Sequence, residues 1–178
     1  MRSIEDDGEI ESDVTPEQFK GVFRTHPAGV ALITADPGTG PVALTATSVI
    51  SVSADPPVLV FSLSELASST PGIRAASSFV IHFLDRDRHD LAVLGSTSGI
   101  DRFADTSLWT RLPTGEPIFH GVPTWIRARP LESVSVKGST LVIALALQVS
   151  DAPGSAEPLV YHDRTWHALG DHSRLDGR

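Results

Sequence analysis

A chain of 178 residues, 40% hydrophobic and 20% charged, has the size and composition of one domain with a full hydrophobic core. It has no cysteine, which excludes disulfides, thiolate metal sites and cysteine nucleophiles and fits a reducing, cytoplasmic setting. The net charge of −8 is concentrated at the start, where residues 1–17 hold seven acids and one base; the rest carries only −2 and no basic stripe, which argues against nucleic acid, and no apolar run nears the roughly 18 residues that span a bilayer.

Residues 1–14 are acidic and lack the apolar stretch of a secretory signal, so they read as a solvated, disordered leader, with partner binding the second choice. One domain is expected over 15–170, followed by a tail over 171–178. Thr15-Pro16-Glu17-Gln18 opens a helix: Thr15 can cap it, Pro16 suits the first turn and Gln18 completes a capping box. Phe19, Val22 and Phe23 share one face of that helix, which should stop near His26, before Pro27. Gly29 to Ala35 is a short β-run, and Asp36 to Gly40 is turn chemistry.

Ala43 to Ser53 reads as one strand rich in small hydroxyls. Period two puts Leu44, Ala46, Ser48, Ile50 and Val52 on one face and Ala43, Thr45, Thr47, Val49, Ser51 and Ser53 on the other. The hydroxyls face either water or a bound polar molecule. After the Ala54 to Pro57 turn comes an almost wholly apolar strand, Pro57 to Leu63. Ser68 to Ala76 reads as a helix with Thr70 as its cap and Pro71 just inside. Phe79 to Leu84 is a strand, Asp85 to Ser96 a helix, and 97–118 irregular. Two long β-segments follow, Gly121 to Val136 and Ser139 to Val149, and Glu157 to Leu169 closes the chain as a hairpin. Many strands broken by short helices, without regular βαβ alternation, predict a mainly β fold: an antiparallel barrel with helical decoration.

Several motifs have ordinary readings. "GTGPVA" (Gly38 to Ala43) fits a loose dinucleotide pattern, but β-type sequence follows it, so it reads as a hairpin turn. "GSTSG" (Gly95 to Gly99) has Thr at its centre and no preceding strand, so it reads as a loop. His162, His167 and His172 have no metal-ligand spacing. The hydroxyl strand is more informative beside a second cluster, Ser68, Ser69 and Thr70, which opens a helix with Arg74 one turn in. Hydroxyls, helix amides and an arginine suit a phosphate. Together the two clusters fit a ligand with a polyol and a phosphate.

The order of segments resembles the flavin reductase-like family, the FMN-binding split barrels that supply reduced flavin to two-component monooxygenases. The match runs from about Phe19 to Leu169, through "FRTHPAGVALITA", "ALTATSVISVSADPPVLVFSL", "SSTPGIRAASSFVIHFL", "DRFADTSLW", "GEPIFHGVPTWIRARP", "KGSTLVIALALQV" and "PLVYHDRTWHAL"; Thr45 to Pro57 is its most specific block. The resemblance implies a Greek-key-like antiparallel split β-barrel with short flanking helices. It implies FMN, or else FAD, with NADH or NADPH as hydride donor, a homodimer, and an oxygenase that receives the reduced flavin. By analogy Thr45, Ala46, Thr47 and Ser48 line the ribityl chain and ring edge, Ser62 and Leu63 meet the isoalloxazine, and Ser68, Ser69, Thr70 and Arg74 take the phosphate. Arg102-Phe103 matches the family's basic-Phe pair. No catalytic residue is expected, because hydride transfer rests on positioning.

Two positions depart from the family. His82 stands where it often has Asn, and Gly138-Ser139-Thr140 stands where it has G-D-H, so the histidine associated with nicotinamide is missing. His82, Arg102 and Tyr161 are candidate substitutes. Two alternatives follow: a non-catalytic flavin-binding protein, and a split-barrel oxidoreductase acting on its own organic substrate.

Overall fold

The computed structural model describes residues 2–3, 12–151 and 157–175, so most of the expected leader and the last three residues of the tail lie outside the described residues. In chain order the elements are β1 (Arg2–Ser3), α1 (Pro16–Arg24), β2 (Ala28–Gly29), β3 (Ala31–Ala35), β4 (Val42–Ala46), β5 (Ile50–Ala54), β6 (Pro57–Ser64), α2 (Thr70–Ala75), β7 (Phe79–Phe83), α3 (His89–Ser96), β8 (Trp109–Arg111), β9 (Pro117–Phe119), β10 (Thr124–Val136), β11 (Ser139–Val149), β12 (Leu159–His162) and β13 (Thr165–Ala168). Short 3₁₀ turns precede α3 and follow β13.

The main sheet runs β4-β3-β7-β10-β11-β6-β5, every neighbouring pair antiparallel, with β1 added in parallel along β10. Its two outermost strands, β4 and β5, are consecutive in the chain and joined by only three residues, 47–49. That connection curls the sheet into the expected antiparallel split barrel.

The core follows the period-two rule on each strand. Ala31, Ile33 and Ala35 of β3, Leu44 and Ala46 of β4, Leu59, Phe61 and Leu63 of β6, Phe79 and Ile81 of β7, and Val142 and Ala144 of β11 form one buried cluster, to which Ile73 of α2 belongs. The opposite face of β3 and β4 is also covered. Val30, Leu32 and Ala43 pack with Leu91 and Ala92 of α3 and with Phe103, Phe119 and Leu159 in a second cluster. Gly95 makes this approach possible, because a Cβ there would collide with the Leu32 side chain and with Thr45. A buried carboxylate ties the far end together: Glu116 accepts from Ser78, Thr114 and, at 2.7 Å, from Arg127 Nε on β10. Burial raises the Glu116 pKa, but those hydrogen bonds outweigh it and hold the carboxyl below its ordinary value.

α1 carries the expected capping box, with Thr15 and Gln18 exchanging hydrogen bonds at 3.2 and 2.8 Å. The "GTGPVA" segment is the β3–β4 turn and the start of β4, with the Asp36 carboxylate accepting from the Gly38 and Gly40 amides.

Three expectations need correction. The hydroxyl strand Ala43 to Ser53 is two strands at opposite edges of the sheet, so its alternation does not carry through: Leu44 and Ala46 are buried, whereas Ile50 and Val52 are 60% and 58% exposed. The α2 cap is Ser69 rather than Thr70, and its side chain does not bond the helix. Residues 97–118, expected to be irregular, contain β8 and begin β9, a hairpin of three-residue strands.

Candidate functional site

Where the sheet splits, two strand edges lie open to each other. β4 pairs only with β3, and β6 pairs with β5 only as far as Val60, which leaves Phe61 to Ser64 without a ladder on that side. Hydroxyls stitch the gap. Ser48 Oγ accepts from the Ser62 amide at 3.0 Å and donates to the Ser62 carbonyl at 3.3 Å. Ser69 donates to the Ala43 carbonyl on β4, and Thr70 to the Ser64 carbonyl on β6, both at 2.6 Å. Thr45 donates to the Ala92 carbonyl of α3 at 2.8 Å.

A cleft of 380 Å³ opens over this seam. Of the residues expected at the site, Thr45, Ala46, Thr47, Ser48, Ser62, Ser68, Ser69 and Arg102 line it. Four do not. Leu63 is fully buried in the barrel, Thr70 is buried with its hydroxyl spent on Ser64, and Phe103 is buried against Trp109 and Phe119. Arg74 lies exposed on the last turn of α2, outside the cleft. Sequence reasoning missed Ser64, Gly95, Ser96 and Ser98, which also line it. The signal was the "GSTSG" segment: Gly95 and Ser96 close α3, and the residues after them run along the cleft.

Arg102 is the cation of this cleft. One terminal nitrogen donates to the Thr97 carbonyl at 2.6 Å, the other to Ser69 Oγ at 3.3 Å, and Nε is buried without a partner. A buried guanidinium N–H left unpaired is costly, which sets Arg102 apart among the residues that line the cleft.

A larger cleft of 770 Å³ shares Thr47, Ser48 and Ser62 with the first. It extends beneath the C-terminal end of α1 to Ala28 and Gly29 of β2, Tyr161 of β12 and the β12–β13 turn. Tyr161, one of the candidate substitutes, lines this larger cleft. His82 does not. It is fully buried, with Nδ1 3.1 Å from the Leu32 carbonyl and Nε2 accepting from the Phe119 amide at 3.1 Å. Burial drives its pKa down to about 4 against the pull of the Leu32 bond, with the Arg88 charge adding to the fall, so it is a neutral structural ring. Gly138-Ser139-Thr140 forms the β10–β11 turn and enters β11, where Thr140 is fully buried opposite Leu63 while Ser139 is half-buried opposite Ser64. Among the described residues no group of His, Asp and Glu is placed to hold a metal, and no helix is long and apolar enough to cross a membrane.

Comparison with known proteins agrees with this geometry. The model of the flavin reductase like domain matches residues 23–170. An NADH:FMN oxidoreductase of Rhodococcus erythropolis is 41% identical over 162 residues, covering 89% of this chain and 84% of its own. An FMN reductase (NADH) of Stutzerimonas stutzeri (strain A1501) is 30% identical, covering 95% and 97%. Among solved structures, a flavin reductase domain protein from Arthrobacter sp. FB24 superposes with a TM-score of 0.84 at 29% identity, over 92% of this chain and 99% of its own.

Proposed function

Since the chain belongs to the flavin reductase-like family, we propose that it is an NAD(P)H:flavin oxidoreductase that binds FMN in the smaller cleft and along the seam it shares with the larger one, and passes reduced flavin to a separate oxygenase. The observation that carries the reading is Arg102, a guanidinium with one buried, unpartnered N–H at the end of a hydroxyl-lined cleft. It suits a phosphate, and Ser68 and Ser98 supply hydroxyls in the same cleft. Arg102 thus takes the role that the resemblance gave to Arg74. The seam residues Thr47, Ser48 and Ser62, shared by both clefts, are placed for the polyol and the ring edge.

Bound flavin supplies the hydride-accepting ring, and the protein's part is binding and orientation. Ser48, locked to both backbone groups of Ser62, fixes the floor on which a planar ring rests. Tyr161 and Phe23 add aromatic surface to the lining of the larger cleft. The names of the Rhodococcus and Stutzerimonas relatives support FMN and NADH as the pair.

A homodimer is the assembly we favour. Ile50 and Val52 on edge strand β5, Leu147 and Val149 on β11, and Phe19 and Val22 on α1 are all more than 40% exposed, an apolar surface that a second copy would cover. The experiment that tests the function is the absorbance spectrum of the purified protein with added FMN, followed by steady-state oxidation of NADH and of NADPH with FMN or FAD present. Flavin-dependent oxidation of at least one donor is expected; flavin binding without it would establish the binding-protein alternative.

A further inference from the structure

The larger cleft has a charge that the seam does not explain. Lys20 and Arg24 of α1 line it, one helical turn apart, and Arg164 lines it from the β12–β13 turn. Asp163 is the one carboxylate among its lining residues, so the cleft carries three cations to one anion in a chain of net charge −8. None of the three cations forms an ion pair with a described residue.

Arg164 is also held at a backbone cost. Asp163 and Arg164 are the two central residues of the hairpin turn, at φ +45° and +61°, where glycine or asparagine is favoured. A long β-unbranched cation kept at such a position, facing a cleft, fits a role in the cleft rather than in the turn. The same turn anchors α1, because the Asp163 amide donates to the Arg24 carbonyl at 2.8 Å. Beside these charges stand aromatic faces: the Phe23 and His26 rings meet edge to face at 6.3 Å, and both line the cleft.

We infer that Lys20, Arg24 and Arg164 grip the pyrophosphate of the dinucleotide hydride donor, with Phe23 and His26 offering their faces to its adenine. This rests on the reductase reading above and assigns α1 to the donor side of the site. The flavin phosphate has its own cation in Arg102, and the adjoining clefts meet at Thr47, Ser48 and Ser62, so a donor held by this rim lies against the flavin.

The test uses the full chain with FMN and two donors: NADH, and the uncharged 1-benzyl-1,4-dihydronicotinamide, which has no phosphate. Each exposed cation removed should raise KM for NADH about two- to fivefold, and Lys20→Ala with Arg24→Ala about tenfold, with a weaker salt dependence than the wild type. Oxidation of the uncharged donor and the FMN dissociation constant should not change. Arg164→Gly should raise KM for NADH while holding or raising the melting temperature, because glycine relieves the turn. Unchanged KM for NADH in the variants, equal loss with both donors, or a loss confined to FMN binding would each overturn the inference while leaving the reductase intact. A wild type that oxidises neither donor would instead overturn the reductase reading, and this inference with it.

Discussion

Replacing Arg102 by alanine should separate FMN from riboflavin, which differ only by the phosphate. In the structure the guanidinium makes two bonds to the protein, at 2.6 Å to the Thr97 carbonyl and 3.3 Å to Ser69 Oγ, and keeps Nε buried and unpartnered. A hydrogen bond between charged partners contributes about 1.5–3 kcal/mol, so losing it should weaken FMN roughly 10- to 150-fold at about 1.4 kcal/mol per decade. Riboflavin has no group for Arg102 to hold and should lose no more than about threefold, the share that comes from loosening the segment after Thr97. Arg102→Lys keeps the charge but not the fork of donors, and should fall between wild type and alanine. Arg74→Ala should leave both ligands alone, since Arg74 is exposed and outside the cleft. Flavin fluorescence titrations at fixed ionic strength measure all of these. Equal losses for FMN and riboflavin in Arg102→Ala, or a selective FMN loss in Arg74→Ala, would refute the placement of the phosphate.

Gly95→Ala should cost about 1–3 kcal/mol in urea unfolding and weaken FMN, because the new Cβ runs into Leu32 and into the Thr45 backbone, and α3 must move away from the cleft; an unchanged midpoint would refute the close approach. Glu116→Ala should cost about 3–5 kcal/mol by leaving Arg127, Ser78 and Thr114 without their buried acceptor, and a loss under about 1 kcal/mol would contradict that. His82 should shape the acid limb of stability. Its folded pKa of about 4 lies below the ordinary 6.5, so between those values the unfolded chain binds more protons; the contribution is complete above pH 6.5, is lost as pH falls toward 4, and totals about 3 kcal/mol. His82→Asn should flatten stability across that window, and an unaltered slope would deny His82 the role. Light scattering at micromolar concentration should give a mass near twice 19.0 kDa; a monomer would reject the dimer.

What the sequence made legible was local. Thr15 to Gln18 specify their cap within four residues, and the Asp36 turn is written in its glycines, so both appear as expected. β6 and the first half of β11 are legible by their alternation, and β3 and β7, buried on both faces, as short apolar runs. The break at 47–49 is not, since nothing in a period of two marks a three-residue hop from one sheet edge to the other. The hydroxyl clusters are visible in the sequence, but most of their partners are distant in it: Ser48 finds Ser62, 14 residues away, Ser69 finds Ala43, 26 away, and Thr45 finds Ala92, 47 away. For the same reason the sequence sets Arg74 beside Ser69 but does not show that Arg102, 33 residues away, bonds it. β8 and β9, three residues each, are too short to show any period.

The location of the site then follows from the topology. A fully laddered barrel would spend its backbone groups on itself and leave no seam. Here β4 has no partner beyond β3, and β6 has none on one side past Val60, so two edges confront each other with backbone groups to satisfy. Large apolar side chains would fill such a gap, and a continuous ladder would seal it. Ser48, Ser69 and Thr70 do neither: each is small enough to leave room, and each carries a hydroxyl that bonds a backbone group on one of the open edges. The row of serines and threonines is therefore first a structural device that keeps the split stable and open. Its placement makes the same opening polar, which suits the polyol phosphate proposed for it better than an apolar ligand.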